Sequence, residues 1–253
     1  MNLEIRESEN TVKLLWTGGW DSTFRLLEVV LKEKKEVQPY YIIFKDRWSY
    51  KKEMETMDNI KSMIHKNYPQ ATDLIHDTFF IEEDGIIEND QLVQTFQKIK
   101  AKINIGTQYK TIVCFANQFQ LEDLELGLLK NGKTYNEIEP YIFKKDANSP
   151  YRVVKDRAPD EIYNFYKYFT FPLFEYSNKD MVEILSTNKW QSILDEIWIC
   201  HKPIFGKYAC GGCNPCLLAS RDKLKKNRIP LISRIIGPLL KKVYNSKFSK
   251  RLF

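Results

Sequence analysis

The chain of 253 residues contains no apolar run approaching the ~18 residues a membrane-crossing helix needs, so no membrane span is expected. Its N-terminus, Met1-Asn2-Leu3-Glu4-Ile5-Arg6-Glu7, lacks the apolar core of a secretion signal, and a cytoplasmic location is the expectation. Internal repeats and low-complexity linkers are also missing. What is left is a chain long enough for one large core, or for one core with a small appended module. Cysteine is scarce outside one place: Cys114 stands alone in an apolar helical pattern and reads as core, whereas Cys200, Cys210, Cys213 and Cys216 fall within seventeen residues. Acidic residues are nearly absent from one end. From Arg221 onward there are eleven Lys or Arg against one Asp, a local +10, while the 28 basic and 32 acidic residues before it give −4. Any attraction to polyanions, nucleic acid included, is therefore concentrated in the tail.

Against these absences, the stretch Leu14 to Phe24 stands out: an apolar run breaks at Gly18-Gly19 and restarts as a helix. It reads as a strand, a phosphate loop and a helix start. Two adjacent glycines let successive N–H groups turn inward around an anion. Ser22 and Thr23 add hydroxyls, and the helical spacing of Phe24, Leu26, Leu27, Val30 and Leu31 puts those donors at a helix N-terminus, where the dipole favours phosphate. An ordinary strand-turn-helix connection is the alternative. The loop has no G-K-[ST] ending, which argues against a γ-phosphate hydrolase or kinase of the Walker type. Asp21, an acid beside a phosphate site, needs either a magnesium ion or a backbone hydrogen-bonding role.

The rest of the pattern predicts an α/β fold with a doubly wound, mostly parallel sheet. Residues 12 to 16 are the first strand and 20 to 32 the first helix, with Lys32 to Glu36 as a solvated turn. Tyr40 to Phe44 is apolar throughout, as a strand buried on both faces should be, and its end at Phe44 is expected beside the Gly-Gly loop. Lys51 to Lys66 fits a helix and Asp77 to Glu82 a third strand. Such β-α-β-α-β units bind ligands at the carboxyl ends of their strands. Gln108-Tyr109 opens a helix carrying Ile112, Phe115, Ala116 and Phe119, and Leu121 to Leu126 suggests a strand. Gln108, Tyr109 and Glu125, polar groups within apolar patterns, are candidates for substrate contact, with structural hydrogen bonding as the alternative. Residues 130 to 159, with Asn131-Gly132, Pro140, Asn148-Ser149-Pro150 and Pro159, should be loop-rich: a lid, a substrate-binding excursion or a plain surface insertion. Asp160 to Phe169 returns to helix, Thr170 to Tyr176 is extended, and Ser177 or Asn178 caps a helix running through Met181, Ile184 and Leu185.

The cysteines are spaced C-x9-C-x2-C-x2-C from Cys200 to Cys216. In a reducing compartment such a cluster holds metal rather than disulfides. Four thiolates suit the tetrahedral preference of zinc and leave no open position, so the ion is expected to be structural. An iron–sulfur cluster is the rival. His201 is left as a surface residue or a group supporting the ligands.

The heptapeptide Thr17-Gly18-Gly19-Trp20-Asp21-Ser22-Thr23 resembles the S-G-G-x-D-S-T signature of the PP-loop ATP pyrophosphatases, in the adenine nucleotide alpha hydrolase-like superfamily. That resemblance implies ATP bound through Trp16, Thr17, Gly18, Gly19, Asp21, Ser22, Thr23 and Phe44, and cleavage between the α- and β-phosphates. Combined with Ile197-Trp198-Ile199-Cys200 and Cys210-Gly211-Gly212-Cys213-Asn214-Pro215-Cys216, it resembles the 7-cyano-7-deazaguanine synthase family over most of residues 12 to 220. Lys179 matches the family's lysine at a helix start, where it reaches phosphate oxygens, so Asp21, Ser22 and Lys179 are the expected catalytic residues. No counterpart of the family's D-Y-S-G-Y-P-D-C-R segment is present; Ala219 replaces the usual Arg, and Arg221 nearby is the candidate substitute.

What the resemblance implies is an AMP-forming C–N ligase that uses ATP, Mg2+ and structural Zn2+, works as a homodimer, and adenylates a carboxylate such as 7-carboxy-7-deazaguanine. Ammonia or an amine, a protein amine included, then gives an amide, or a nitrile after a second activation. Such chemistry needs no nucleophile from the enzyme, in keeping with the absence of a Ser-His-Asp or Cys-His arrangement. Relatives in antiphage operons suggest attachment of the acid to a partner. The alternatives are a PP-loop enzyme that modifies tRNA through the basic tail, and a non-catalytic ATP-binding partner protein. The expected organisation is an ATP-binding domain over 1–190, a zinc module over 191–228 and a basic tail over 229–253.

Overall fold

The computed structural model describes residues 10–45, 47–103, 105–130, 132–146, 149–221 and 228–244. The N-terminal heptapeptide, Asn131, Asn148 and the tail beyond Tyr244 lie outside the described residues.

Five strands form one parallel sheet in the order β3-β2-β1-β4-β7: β1 (Val12–Leu15), β2 (Val37–Ile43), β3 (Phe79–Glu82), β4 (Leu124–Glu125) and β7 (Phe169–Thr170). Alternate residues of β2 enter two separate cores, Tyr40 and Ile42 on one face, Val37 and Tyr41 on the other. Helices α1 (Trp20–Leu27), α2 (Tyr50–Asn67), α7 (Asn178–Asn188) and α8 (Gln191–Leu194) cover the second face. The first is covered by α3 (Asp90–Lys102), α4 (Gln108–Gln118), α5 (Lys133–Ile138) and α6 (Asp160–Tyr166). The sheet is thus doubly wound, as the alternation of apolar strands and amphipathic helices predicts. No helix among the described residues is long and apolar enough to cross a membrane.

Several local expectations need adjustment. The first helix widens into a π-helical turn over Glu28–Glu33, and the charged run that follows is not wholly solvated, because Glu33 pairs with Arg25. The strand expected over 121 to 126 shrinks to two residues, since Gln120 and Asp123 take left-handed backbone angles that interrupt the ladder. Residues 130 to 159 are more regular than their Pro, Asn and Gly content implies. They form α5 and an antiparallel pair, β5 (Ile142–Phe143) with β6 (Arg152–Val153), anchored by buried Ile138, Ile142 and Val153. Ser177 caps α7 in a reciprocal box with Asp180.

After α8 the chain enters the cysteine loop, then α9 (Asn214–Arg221) and α10 (Leu231–Tyr244). Gly211, with φ +72, lies against α10: a Cβ built on it would stand 1.8 Å from the Ser233 carbonyl oxygen. A Cβ on Gly237 would meet the Gly211 carbonyl carbon at 2.2 Å. The helix and the loop therefore touch backbone to backbone, which only glycine at both positions permits.

Candidate functional site

The direction of sheet growth reverses between β1 and β4, and in open α/β sheets that reversal leaves a crevice at the carboxyl ends of the two strands. The turn after β1 sits there. Gly18 holds φ +64, and a Cβ on it would press on Met57 at 3.2 Å and on the Glu53 carbonyl oxygen at 3.3 Å. The Thr17 N–H donates to Ser22 Oγ at 3.2 Å, and the Thr17 and Ser22 hydroxyls share a further bond of 3.2 Å, which closes the turn. Gly19 is the N-cap of α1 and no side chain caps that helix start. Opposite it, Gly127 approaches so closely that a Cβ would lie 3.0 Å from Asp21 Cβ.

A cleft of about 810 Å3 opens over this turn, and Thr17, Gly19, Trp20 and Asp21 line its floor. Arg47 and Lys130 bring positive charge to its walls. Arg47 rests over the Phe44 ring, 4.6 Å from its centroid, and donates to Gln108 Oε1. Glu53, buried, also borders the cleft; it accepts from the Tyr41 hydroxyl at 2.7 Å and from Ser49 Oγ at 2.5 Å. Burial, and then the neighbouring Glu53, push the Tyr41 hydroxyl above its ordinary range, so it stays a donor. Trp198, Ile199, His201 and Pro215 form the far wall, and Gly132 and Thr134 come from the 130–159 segment, for which a lid, a substrate-binding excursion or a plain surface insertion is expected.

A smaller cavity of about 190 Å3 shares Asp21 and the Gly-Gly turn with the cleft. It gathers Asp21, Ser22, Gln108 and Tyr109, so two of the residues singled out as substrate candidates join the Gly-Gly turn. Burial raises the Tyr109 hydroxyl, which is hydrogen-bonded with Thr134 and feels Asp21.

Other expected site residues sit elsewhere. The Trp16 side chain is fully buried and its indole N–H donates to Thr23 Oγ1 at 3.1 Å; Thr23 is equally buried, so both brace the turn from beneath. Phe44 lies under Arg47 and lines neither cavity. Glu125 takes a two-pronged ion pair from Arg25, Nε to Oε2 at 2.7 Å and Nη2 to Oε1 at 2.9 Å, and its carboxylate is committed to the core. Lys179 is exposed on the first turn of α7, beside Asn178, which does line the cleft. Arg221 is exposed at the end of α9 and lines neither cavity.

The four expected metal ligands converge. The sulfurs of Cys200, Cys210, Cys213 and Cys216 all lie within 4.8 Å of one another, with Cys200 and Cys213 at 3.9 Å. Thiolates ~2.3 Å from one tetrahedral ion stand ~3.8 Å apart, so the set fits a single ion. A four-iron cube carries its thiolates outside a cage and spreads them further than one ion does. Backbone N–H groups donate to the sulfurs, Cys210 N to Cys200 Sγ at 3.2 Å and Cys213 N to Cys210 Sγ at 3.2 Å. Hydrogen bonds among the four thiols lower Cys213 and Cys210 and raise Cys200 and Cys216, so the cluster shares its protons until a metal displaces them. Cys114 is buried in the core, as its pattern implies.

Arg47, Lys130, Glu53 and Thr134 were not among the residues the sequence singles out. Arg47 follows the end of β2 and Lys130 that of β4, so the strand-end rule for parallel sheets is the signal that points to them.

No protein-family model and no curated protein sequence matches the chain. Among solved structures it is similar to the U34-tRNA thiolase NcsA from Methanococcus maripaludis with its 4Fe-4S cluster, at 9% sequence identity over 99% of this chain and 78% of that chain, with a TM-score of 0.41.

Proposed function

We propose that this chain is an ATP-dependent, AMP-forming ligase of the PP-loop type that activates a carboxylate and joins it to ammonia or an amine. The observation that carries the proposal is the uncapped start of α1 behind Gly18-Gly19, on the floor of a cleft walled by Arg47 and Lys130. A helix N-terminus and two cations suit a triphosphate. In the reaction, a carboxylate oxygen attacks the α-phosphorus and the bond to pyrophosphate breaks, leaving an acyl adenylate. The nitrogen nucleophile then attacks the acyl carbon, AMP departs with the bonding electrons, and the nitrogen loses a proton to solvent. The protein's contribution is positioning and charge stabilisation: the α1 amides, Arg47 and Lys130 take the departing charge, and Thr17 and Ser22 hold the turn rigid. Asp21 would hold a magnesium ion, which screens the phosphates when bound.

The acid enters beside Asp21, with Gln108 and Tyr109 in reach. Its proposed class is a deazapurine carboxylate such as 7-carboxy-7-deazaguanine, supported by the joint occurrence of the T-G-G-W-D-S-T loop and the cysteine pattern. Zinc is the proposed metal, supported by four thiols close enough to share one ion; with all four positions filled by sulfur its role is structural.

The test is release of AMP and pyrophosphate in equal amounts when ATP, ammonium and candidate acids are supplied. ADP as product, or ATP binding with no release under any acid, would overturn the ligase in favour of another nucleotide chemistry or a non-catalytic ATP-binding protein. A second reading, a tRNA-modifying enzyme of the same class, draws on the eleven basic residues from Arg221 onward. It requires RNA binding that weakens with salt and disappears on truncation after Arg228.

A further inference from the structure

The helix α10 is mounted the wrong way round for an ordinary amphipathic helix. Its small residues, Ser233 and Gly237, face inward against Gly211, while Leu231, Ile232, Ile235 and Leu239 are each between 66 and 70% exposed and Ile236 is 38% exposed. At 100° per residue these five share one arc, so the apolar stripe runs unbroken along the outer side of the helix. An exposed stripe of five large aliphatics on one helix is not scattered surface apolarity; it marks a surface that something covers.

Charge identifies what covers it. From Lys223 to the C-terminus there are ten Lys or Arg and no acidic residue, and Lys241 and Lys242 fall in the last turn of the helix itself. A second copy would set two such segments face to face and repel. Nucleic acid satisfies the charge but offers nothing to bury the stripe. A surface that is both anionic and apolar at shallow depth is the headgroup and acyl boundary of a membrane rich in acidic lipid. We infer that α10 is a membrane-surface anchor: its Leu231–Leu239 stripe enters the interface of an anionic bilayer while the flanking Lys and Arg hold the headgroups. The cysteine module, through Gly211, fixes the stripe to the outside of the protein and so docks the cleft at the membrane.

The experiment uses the full chain and sedimentation with lipid vesicles. Phosphatidylcholine vesicles containing phosphatidylglycerol should carry the protein down at low salt, and pure phosphatidylcholine vesicles should do so several-fold less. The exposed-face variant Ile235→Ser with Leu239→Ser should lose vesicle binding by about tenfold or more, the apolar burial of two aliphatic side chains being removed, with an unchanged melting temperature. Lys241→Gln with Lys242→Gln should weaken binding and flatten its salt dependence. No binding to anionic vesicles would overturn the inference. So would equal binding by the wild type and the apolar variant, which would leave only a cationic tail, or a wild-type dimer that the apolar variant dissociates, which would give the stripe to a second copy.

Discussion

The backbone N–H of Trp198 donates to the carbonyl of Gly18 at 3.2 Å, so the segment that enters the cysteine loop is bonded to the turn on the cleft floor. The Trp198 indole N–H continues the link, donating to the Cys200 carbonyl at 2.6 Å. Two motifs some 180 residues apart in sequence are thereby one mechanical unit.

Metal removal should therefore reach the nucleotide site. A four-thiol loop folds with its ion, and stripping that ion under reducing conditions should loosen the far wall of the cleft. Calorimetric ATP affinity should fall several-fold on chelation and recover on adding zinc. Affinity unchanged by loss of metal would separate the loop from the site.

Gly211→Ala should be far worse than Gly206→Ala. Both glycines hold a left-handed backbone, φ +72 and +68, so both alanines carry that strain. Around Gly206 nothing lies within 4 Å, whereas at Gly211 the new methyl would collide with the Ser233 carbonyl and push α10 off the loop. We expect about 1–3 kcal/mol of additional destabilisation from overpacking, seen as a lower melting temperature and faster proteolysis within α10. Equal melting temperatures for the two variants would refute the contact.

Three carboxylates crowd one buried guanidinium: Arg25 meets Glu125, Glu33 and Glu28. Burial holds the Glu28 and Glu125 carboxyls above their ordinary 4.5 despite Arg25, while Glu33, less buried, is drawn below by its Arg25 hydrogen bond. A carboxyl raised on folding favours the folded state below its ordinary pKa and loses that contribution as pH climbs through the raised value. Glu28→Gln keeps an acceptor for the Tyr176 hydroxyl, now at 3.1 Å, and removes the surplus charge. Its melting temperature relative to wild type should be higher at pH 7.5 than at pH 5; a difference independent of pH would show that Glu28 is not raised.

Much of this architecture is legible in the sequence because its causes are local. Gly18-Gly19 before a helical pattern, Ser177 three residues before Asp180, and four closely spaced cysteines each carry their own geometry. The cleft walls are different: Arg47 and Lys130 become neighbours of Asp21 only because β2 and β4 both flank β1 in the sheet, which no local pattern encodes. The role of Glu125 is hidden in the sequence for the same reason, its partner Arg25 lying a hundred residues away. In α10 the i, i+4 spacing of Leu231, Ile235 and Leu239 is a local signal, but the basic residues around it give the segment the composition of a charged tail.

The division of labour among the cations follows from that placement. Lys130 and Arg47 line the cleft, whereas Lys179 is exposed outside its lining on the first turn of α7, where the helix dipole disfavours a cation. Charge-assisted hydrogen bonds to phosphate contribute ~1.5–3 kcal/mol, so Lys130→Ala and Arg47→Ala should each weaken ATP binding by roughly tenfold to a hundredfold. Gln108→Ala, which frees Arg47 from its acceptor while leaving its charge, should weaken ATP binding less than Arg47→Ala does. Lys179→Ala separates two geometries. If its ammonium stays outside, ATP affinity barely moves; a tenfold loss, with Lys130→Ala near wild type, would mean that Lys179 swings over the cleft and is the phosphate grip, and that Lys130 is only a rim charge.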